Sequence, residues 1–303
     1  MMKLSKSLSL LIVVLVYVAA FFAGMLVFRI LPFKGFFAYL CADAAATVVV
    51  WAFGLVFRNA SMYDPYWSVA PLVLFICFLT DSGFMDAVDV LYIAVFTIWG
   101  VRLTLNWAIG WRGMAHQDWR YTMLHDKNPK VWFFTNFFGI NMLPTLFVFV
   151  NMLPPYLCAY QGADTIGALS VLGFAVCVFA VMMQIISDGQ MRRFRSNAAN
   201  NGTSIQTGLW KYSRHPNYLG EVSLWWGVWI IQAGTRPDLW WSMIAPIMMT
   251  LLFVLISIPM MENRLTETKS DYDAYQQRTS MLLLLPPKRI GKQADESVGG
   301  SME

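Results

Sequence analysis

Eight apolar stretches, most of them close to the length needed to cross a bilayer, follow one another along this chain and decide what it can fold into. About 20 apolar residues span a ~30 Å hydrocarbon layer. Runs of that kind extend from 8 to 30, 36 to 57, 88 to 109, 140 to 160, 166 to 187 and 239 to 261, with shorter ones from 69 to 80 and 219 to 233. With 57% hydrophobic and 13% charged residues in 303, a soluble globule is excluded. Lipid leaves no water to satisfy exposed peptide groups, so the expected fold is all-α: a polytopic transmembrane helical bundle with about seven to eight spans. Pro144, Pro154 and Pro246 are expected kinks.

Charge orients the spans. Lys3, Lys6, Arg58, Arg112, Arg120, Lys127, Lys130, Arg192, Arg193, Arg195, Lys211, Arg214 and the basic tail fall on one side of an eight-span arrangement, and Asp81, Asp86 and Asp164 on the other. By the positive-inside rule both termini and the large polar loops are cytoplasmic. The first apolar run is longer than a secretory signal core and ends in Arg29, Pro32 and Lys34, so it reads as a span. The net charge of +4 reflects this topology and the needs of a phosphate-bearing ligand; with no soluble basic domain, nucleic acid is not an expected partner. Cys41, Cys77, Cys158 and Cys177 have no paired spacing, and His116, His125 and His215 no ligand spacing, so neither a disulfide framework nor a metal site is indicated.

Four polar islands interrupt the apolar pattern. The first, Arg58 to Pro71, sets Asp64 beside Pro65, among Tyr63, Tyr66 and Trp67. Asp64 could cap the helix that Pro65 begins, or, in low dielectric, serve as a proton-donating carboxyl. The second, Gly100 to Tyr121, places Arg102 and Asn106 four apart on one helix face, with Arg102 expected to snorkel or to pair with Asp43 or Asp64. Asp118, Arg120 and Tyr121 follow in a tryptophan-rich loop.

In the third island Gln184, Asp188, Arg192 and Arg195 recur at four, four and three residues, so a continued helix would align them as a stripe suited to gripping a phosphorylated ligand. The fourth joins the loop SRHPNYLGE (Ser213 to Glu221) to an aromatic helix. Pro216 suits a first helical position, so free backbone N–H groups and the flanking Arg214 and His215 favour an anion there. Glu262, Arg264, Tyr272, Tyr275 and Arg278 after the last span are placed to close over a ligand held by His215 and Asn217.

At SRHPNYLGE with its following WWG, at HQDWRY, and at DYDAYQQRTS with the LLPPK that ends the region, the chain resembles the steroid 5-alpha-reductase superfamily, and most closely its DUF1295 branch, over roughly Ser61 to Lys288. The resemblance implies a membrane reductase that takes NADPH from the cytoplasmic side and a lipophilic substrate from the bilayer. It implies that Asp188, Arg192 and Arg195 contact the dinucleotide, that Asn217 and Glu221 match family positions, that His215 and Tyr218 belong to an HPxY pattern, and that Tyr272, Tyr275 and Arg278 cover the adenine and phosphate end. Asn106, Asp118, Arg120, Tyr121, Lys211, Tyr212, Arg214 and Arg264 complete the implied cofactor set. Steroid reductases polarise the substrate carbonyl with a Gln and Glu pair and a tyrosine; the corresponding positions here resemble Tyr63–Asp64 and Trp99. Tryptophan supplies no oxygen acid, so protonation falls to Asp64, Tyr63 or Tyr66, with Trp67, Trp225 and Trp226 expected to wall the apolar pocket.

The expected organisation is N-terminal transmembrane helices to residue 60, a reductase-like membrane domain from 61 to 290 and a disordered tail from 291 to 303. The main alternative is a membrane methyltransferase of the isoprenylcysteine carboxyl type, which shares an RHPxY-like loop but binds S-adenosylmethionine and has less need of so many cations. A membrane protein without catalysis, for which Trp99 speaks, is a third.

Overall fold

The computed structural model describes residues 4–162 and 165–288; Lys3, Asp164 and the expected disordered tail lie outside them. Helices and turns make up this part, with a parallel bridge between Ser213 and Ser280. In chain order the helices are α1 (Lys6–Ile30), α2 (Phe36–Val56), α3 (Tyr66–Ser82), α4 (Ala87–Gly110), α5 (Trp119–Lys127), α6 (Trp132–Phe134), α7 (Leu143–Asn151), α8 (Leu153–Gln161), α9 (Ala168–Arg195), α10 (Pro216–Thr235), α11 (Ile244–Leu252), α12 (Ile258–Thr268) and α13 (Tyr272–Arg278). Among the described residues seven helical stretches are long and apolar enough to cross a membrane: Lys6–Ile30, Phe36–Val56, Ala60–Ser82, Ala87–Gly110, Pro129–Asn151, Ala168–Arg195 and Pro237–Thr268. This is an integral membrane protein. The third apolar run, short in sequence, gains its length from a 3-10 turn at Ala60–Met62 that leads into α3.

The expected kinks take a specific form. α6 passes through a π-helical stretch (Thr135–Met142) into α7, whose second residue is Pro144, and a second π stretch (Phe253–Ser257) leads into α12, where Pro259 holds the same position. A proline has no N–H to give and its ring collides with the carbonyl four residues back, so a locally widened turn relieves both problems. Pro154 likewise begins α8 just after the break at Met152, whereas Pro246 lies inside α11.

The chain forms two compact units. One holds the chain up to Phe174 with Gly227–Met249, the other Ala175–Trp226 with the chain from Thr250 onward. In the first, α1 and α2 pack through small residues: a Cβ on Gly24 would stand 2.9 Å from the Ala42 carbonyl oxygen, and Ala20, Ala38 and Ala46 are buried beside this contact line. Lipid offers no hydrophobic drive between helices, so close backbone approach supplies the attraction. α3 and α4 meet in the same way, a Cβ on Gly100 falling 2.6 Å from the Ser68 carbonyl oxygen. Leu11, Leu15, Phe22 and Leu26 of α1 are exposed, as lipid-facing positions are.

In the second unit the α9 and α10 segments pack with Gly220 against Gln184 and the Ala180 carbonyl, and the thiol of Cys177 donates to the Leu224 carbonyl at 3.5 Å. α9 runs unbroken to Arg195, so Gln184, Asp188, Arg192 and Arg195 do share a helix, Gln184 buried and the two arginines exposed.

Candidate functional site

In the first unit the first two polar islands knit together. The Asn59 amide donates to the carbonyls of Met114 (3.0 Å) and His116 (2.9 Å), Ala60 N–H to the Gln117 side chain (2.9 Å) and Asp118 N–H to the Ser61 hydroxyl (2.8 Å). This lattice brings the Tyr121 hydroxyl onto Asp64 Oδ1 at 2.5 Å. Asp64 therefore accepts from a phenol 57 residues away; it does not cap α3, where Pro65 is the N-cap and has no side-chain cap bond. Burial, and then the neighbouring Asp64 carboxyl, push the Tyr121 phenol well above its ordinary pKa, so it remains a proton donor. Asp118 caps α5 and grips Arg120 (2.8 Å); burial opposes its ionisation, but the bonds and charge of Arg120 prevail and hold it below the usual carboxylate range.

The other two expected acids are bound differently. The Tyr63 hydroxyl lies 2.7 Å from Thr145 Oγ1, which gives its own proton to the Asn141 carbonyl (2.9 Å) and so accepts from Tyr63. The Tyr66 hydroxyl donates to Asp43 Oδ1 at 2.6 Å, both residues buried. Asp43 and Asp64 thus pair with phenols. Trp99 is fully buried, edge-on to Trp67 at 5.9 Å.

Two cavities open in this unit. The larger, about 1020 Å³, runs along α1, α3 and α4 between Val14, Phe21, Val69, Ile76 and Trp107. The smaller, about 90 Å³, shares Tyr17, Phe21, Tyr39 and Val73 with it and has Asp43 and Tyr66 in its wall. Trp67 lines neither cavity, and Trp225 and Trp226 belong to the other unit, where they donate to Glu221 Oε1 (3.2 Å) and Thr250 Oγ1 (3.1 Å). Asp64 and Tyr63 line neither of these two cavities, and Tyr66 lines the smaller.

The second unit centres on Glu262. Its Oε1 accepts from Arg214 Nε (2.7 Å) and lies 3.0 Å from His215 Nε2, while Oε2 accepts from the Gln276 amide (2.9 Å). Arg214 Nη1 also donates to the carbonyls of Gln276 (2.8 Å) and Thr279 (2.5 Å), and its N–H to Ser280 (2.9 Å). Tyr275 donates to the Trp210 carbonyl at 2.5 Å, and Ser213 to that of Leu282 at 2.7 Å. Arg214, His215 and Tyr275 thus strap the segment from α13 to Leu285 onto the loop before α10. Deeper in, Gln184 donates to Glu221 Oε2 at 2.7 Å, both buried in apolar helices.

The remaining expected cofactor residues sit nearer the surface. Arg192, Arg195, Lys211, Tyr212 and Arg278 are exposed; Asn217 and Tyr218, in the first turn of α10, and Asp188 and Arg264 are half-buried. The ring of Tyr218 stacks on His215 at 5.3 Å. Asn106 is half-buried on α4. The sequence alone left Asp43, Thr145 and Gln276 out of the site; it put Gln184 in a ligand-gripping stripe and Glu262 among groups closing over a ligand, whereas Gln184 bonds Glu221 and Glu262 bonds Arg214 and His215. For Asp43 the available signal was a lone carboxyl inside an apolar run, expensive in lipid without a purpose.

Comparison with known proteins extends the likeness read from the motifs. The chain is 25% identical over 202 residues to an uncharacterized protein of Schizosaccharomyces pombe, an alignment that covers 58% of this chain and 58% of that relative's length. No solved structure matches it. The family described as a protein of unknown function (DUF1295) matches residues 50–279, which takes in both buried carboxyl networks apart from Asp43. The chain belongs to the DUF1295 family, a steroid 5-alpha-reductase-like family.

Proposed function

We infer that the protein is a membrane-embedded reductase that uses NADPH to saturate a conjugated carbon–carbon double bond of a lipophilic substrate. The observation that carries this reading is the Tyr66 hydroxyl, held by Asp43 in the wall of an apolar cavity inside a bundle of this family. Such a reduction consumes a hydride and a proton, and it needs an acid beside the oxygen on which negative charge develops. Tyr66 suits that place, and the apolar wall excludes the water that would weaken its effect.

The second unit suits the cofactor. Exposed cations at the end of α9 and on α13, Arg192, Arg195 and Arg278, with Lys211, match phosphate oxygens. The buried hydroxyls of Tyr272 and Ser204, which have no hydrogen-bond partner among the described residues, are polar atoms that a polar ligand satisfies. These cations with Arg264 would hold the phosphates, and Asp188, Asn217 and Tyr218 would contact the rest, with Glu221, whose oxygens accept from Gln184 and Trp225, a positioning residue. Arg214, His215 and Tyr275 would act as positioning residues, since their donors serve the protein itself. Bound NADPH supplies the hydride. The arginines and lysines at this unit's polar end favour the cytoplasmic side for it, where the nucleotide is.

Titration of the detergent-purified protein with NADPH and with S-adenosylmethionine tests the class. Saturable NADPH binding is expected; binding of S-adenosylmethionine alone assigns the protein to the methyltransferases instead. Tyr66→Phe should spare NADPH binding and abolish NADPH consumption in the presence of enone lipids. Unchanged consumption removes Tyr66 from the chemistry and returns the role to Asp64 or Tyr63.

A further inference from the structure

Charge is unevenly placed along the larger cavity. Its α1 wall begins at Leu10 and ends at Phe28, about 27 Å of helix at 1.5 Å per residue, so it crosses most of a ~30 Å hydrocarbon layer. Val14, Val18, Phe22 and Ile76 line it and are exposed, so a lipid lying beside the protein enters sideways without leaving hydrocarbon. Among the described residues Asp81, near the end of α3, is the one charged group in its lining.

Four helices build the end at Asp81. Phe28 of α1 stacks on Tyr39 of α2 at 4.4 Å, and the Tyr39 hydroxyl donates to the Cys77 carbonyl of α3 at 3.1 Å. That hydroxyl lies 3.4 Å from the one of Tyr160, on α8, which donates to Asp81 Oδ2. Lys34, in the turn between α1 and α2, holds its ammonium 4.6 Å from the centroid of the Phe28 ring and donates to the Phe28 carbonyl at 2.6 Å. A carboxylate and an ammonium thus flank the same end of the cavity, both exposed. Among the described residues neither forms an ion pair, with the other or with any third group.

A carboxylate only accepts hydrogen bonds and an ammonium only donates them. Opposite charges held apart at the mouth of an apolar groove match a ligand whose own head carries both signs, an ammonium for Asp81 and a phosphate for Lys34. Length agrees with this. From Asp81 back to Val69 the α3 wall measures about 18 Å, slightly more than the ~15 Å of one leaflet, which is the depth that the chains of a bilayer lipid fill.

We propose that the Asp81 end of this cavity is a binding site for a zwitterionic phospholipid. Its ammonium pairs with Asp81 Oδ1, the oxygen that Tyr160 leaves open, its phosphate pairs with Lys34, and its acyl chains lie between α1 and α3. The site stands apart from the reductase reading, since no part of it uses the nucleotide or the Asp43–Tyr66 pair.

Delipidated full-length protein in detergent is titrated with dioleoyl-phosphatidylethanolamine and with dioleoyl-phosphatidylglycerol, which has the same chains and phosphate but no ammonium, and bound lipid is counted by native mass spectrometry. The zwitterionic lipid should bind at least about tenfold tighter. Asp81→Asn keeps an acceptor for Tyr160 and should bring its affinity down to that of phosphatidylglycerol, whereas Lys34→Ala should weaken both lipids alike, about fivefold. Ile76→Trp puts bulk into the groove and should weaken the zwitterionic lipid about tenfold with the melting temperature unchanged. Equal affinity of the wild type for the two lipids, or a preference that survives Asp81→Asn, overturns the proposal. So does an affinity indifferent to Ile76→Trp, which places the lipid in the belt around the protein. If Asp81→Asn fails to fold, the wild-type ratio and Ile76→Trp decide between these outcomes.

Discussion

The two units solve the same problem, a carboxyl group inside a membrane protein, with different partners. In the first, Asp43 and Asp64 each take a hydrogen bond from a phenol, of Tyr66 and Tyr121 respectively, as does the exposed Asp81 near the end of α3, from Tyr160. In the second, Glu262 gathers Arg214, His215 and Gln276, and Glu221 takes donors from Gln184 and Trp225. A phenol satisfies a carboxyl without bringing a second charge into hydrocarbon, and it leaves a transferable proton at the site. A guanidinium neutralises charge and, with five fixed donors, also ties separate backbone segments together. The first arrangement suits proton chemistry, and the second mechanical fastening.

The sharpest way to break this contrast is at Glu262. Glu262→Ala strands a buried guanidinium and releases Gln276, so it should cost about 3 to 5 kcal/mol and loosen the strap from α13 to Leu285. Thermal unfolding in detergent, with proteolysis of the C-terminal segment, measures it. A loss below about 1 kcal/mol would mean that the network is as weak as an exposed ion pair and that fastening is not its role.

Phenol pairs should yield less. Tyr121→Phe leaves the Asp64 carboxyl without its donor and should cost about 1 to 3 kcal/mol, whereas Asp64→Asn keeps an acceptor for Tyr121 and should cost about 1 kcal/mol. Equal losses from the two would show that the carboxyl is satisfied elsewhere. Arg195→Ala removes a side chain that is exposed at the end of α9, so folding stability should stay within about 0.5 kcal/mol while NADPH affinity falls about tenfold. A drop in stability with no change in affinity would make the stripe structural.

What the sequence revealed and what it hid divides along chain distance. The spans, the unbroken α9 and its Gln184-to-Arg195 stripe follow from hydrophobic length and helical period, which are local. Asp64 looked like a helix cap because Pro65 follows it, yet its partner stands 57 residues on, brought there by Asn59 and Ser61. Arg214 and His215 looked like ligand-facing groups because nothing near them in sequence competes for their donors. Glu262 does, from 48 and 47 residues away. Asp43 was legible as an oddity in an apolar helix, but its phenol partner and the cavity beside it exist only once α2 and α3 pack.

Two carboxylates outside the spans sharpen the comparison at its smallest scale. Asp118 belongs to the first unit and Asp271 to the second, yet both pair as soluble proteins do, Asp118 with Arg120 and Asp271 with the Ser204 N–H (2.9 Å) and the Gln206 amide (2.9 Å). Both pKa values are lowered: burial opposes ionisation in each, and the hydrogen bonds, joined for Asp118 by the charge of Arg120, outweigh it. A folded state that binds these protons less tightly than the unfolded chain is stabilised wherever the carboxylates are ionised. Their contribution is therefore fully present above the unfolded aspartate value of about 3.9 and is lost as pH falls through the lower folded values. Unfolding midpoints should owe no slope to this pair between about pH 7 and 5 and should drop below about pH 4, and Asp118→Asn or Asp271→Asn should each flatten that drop by a similar small amount. If only one of them does, the unit in which a carboxylate sits matters more than whether it lies in a span, and the phenol pairs become a property of the first unit as a whole.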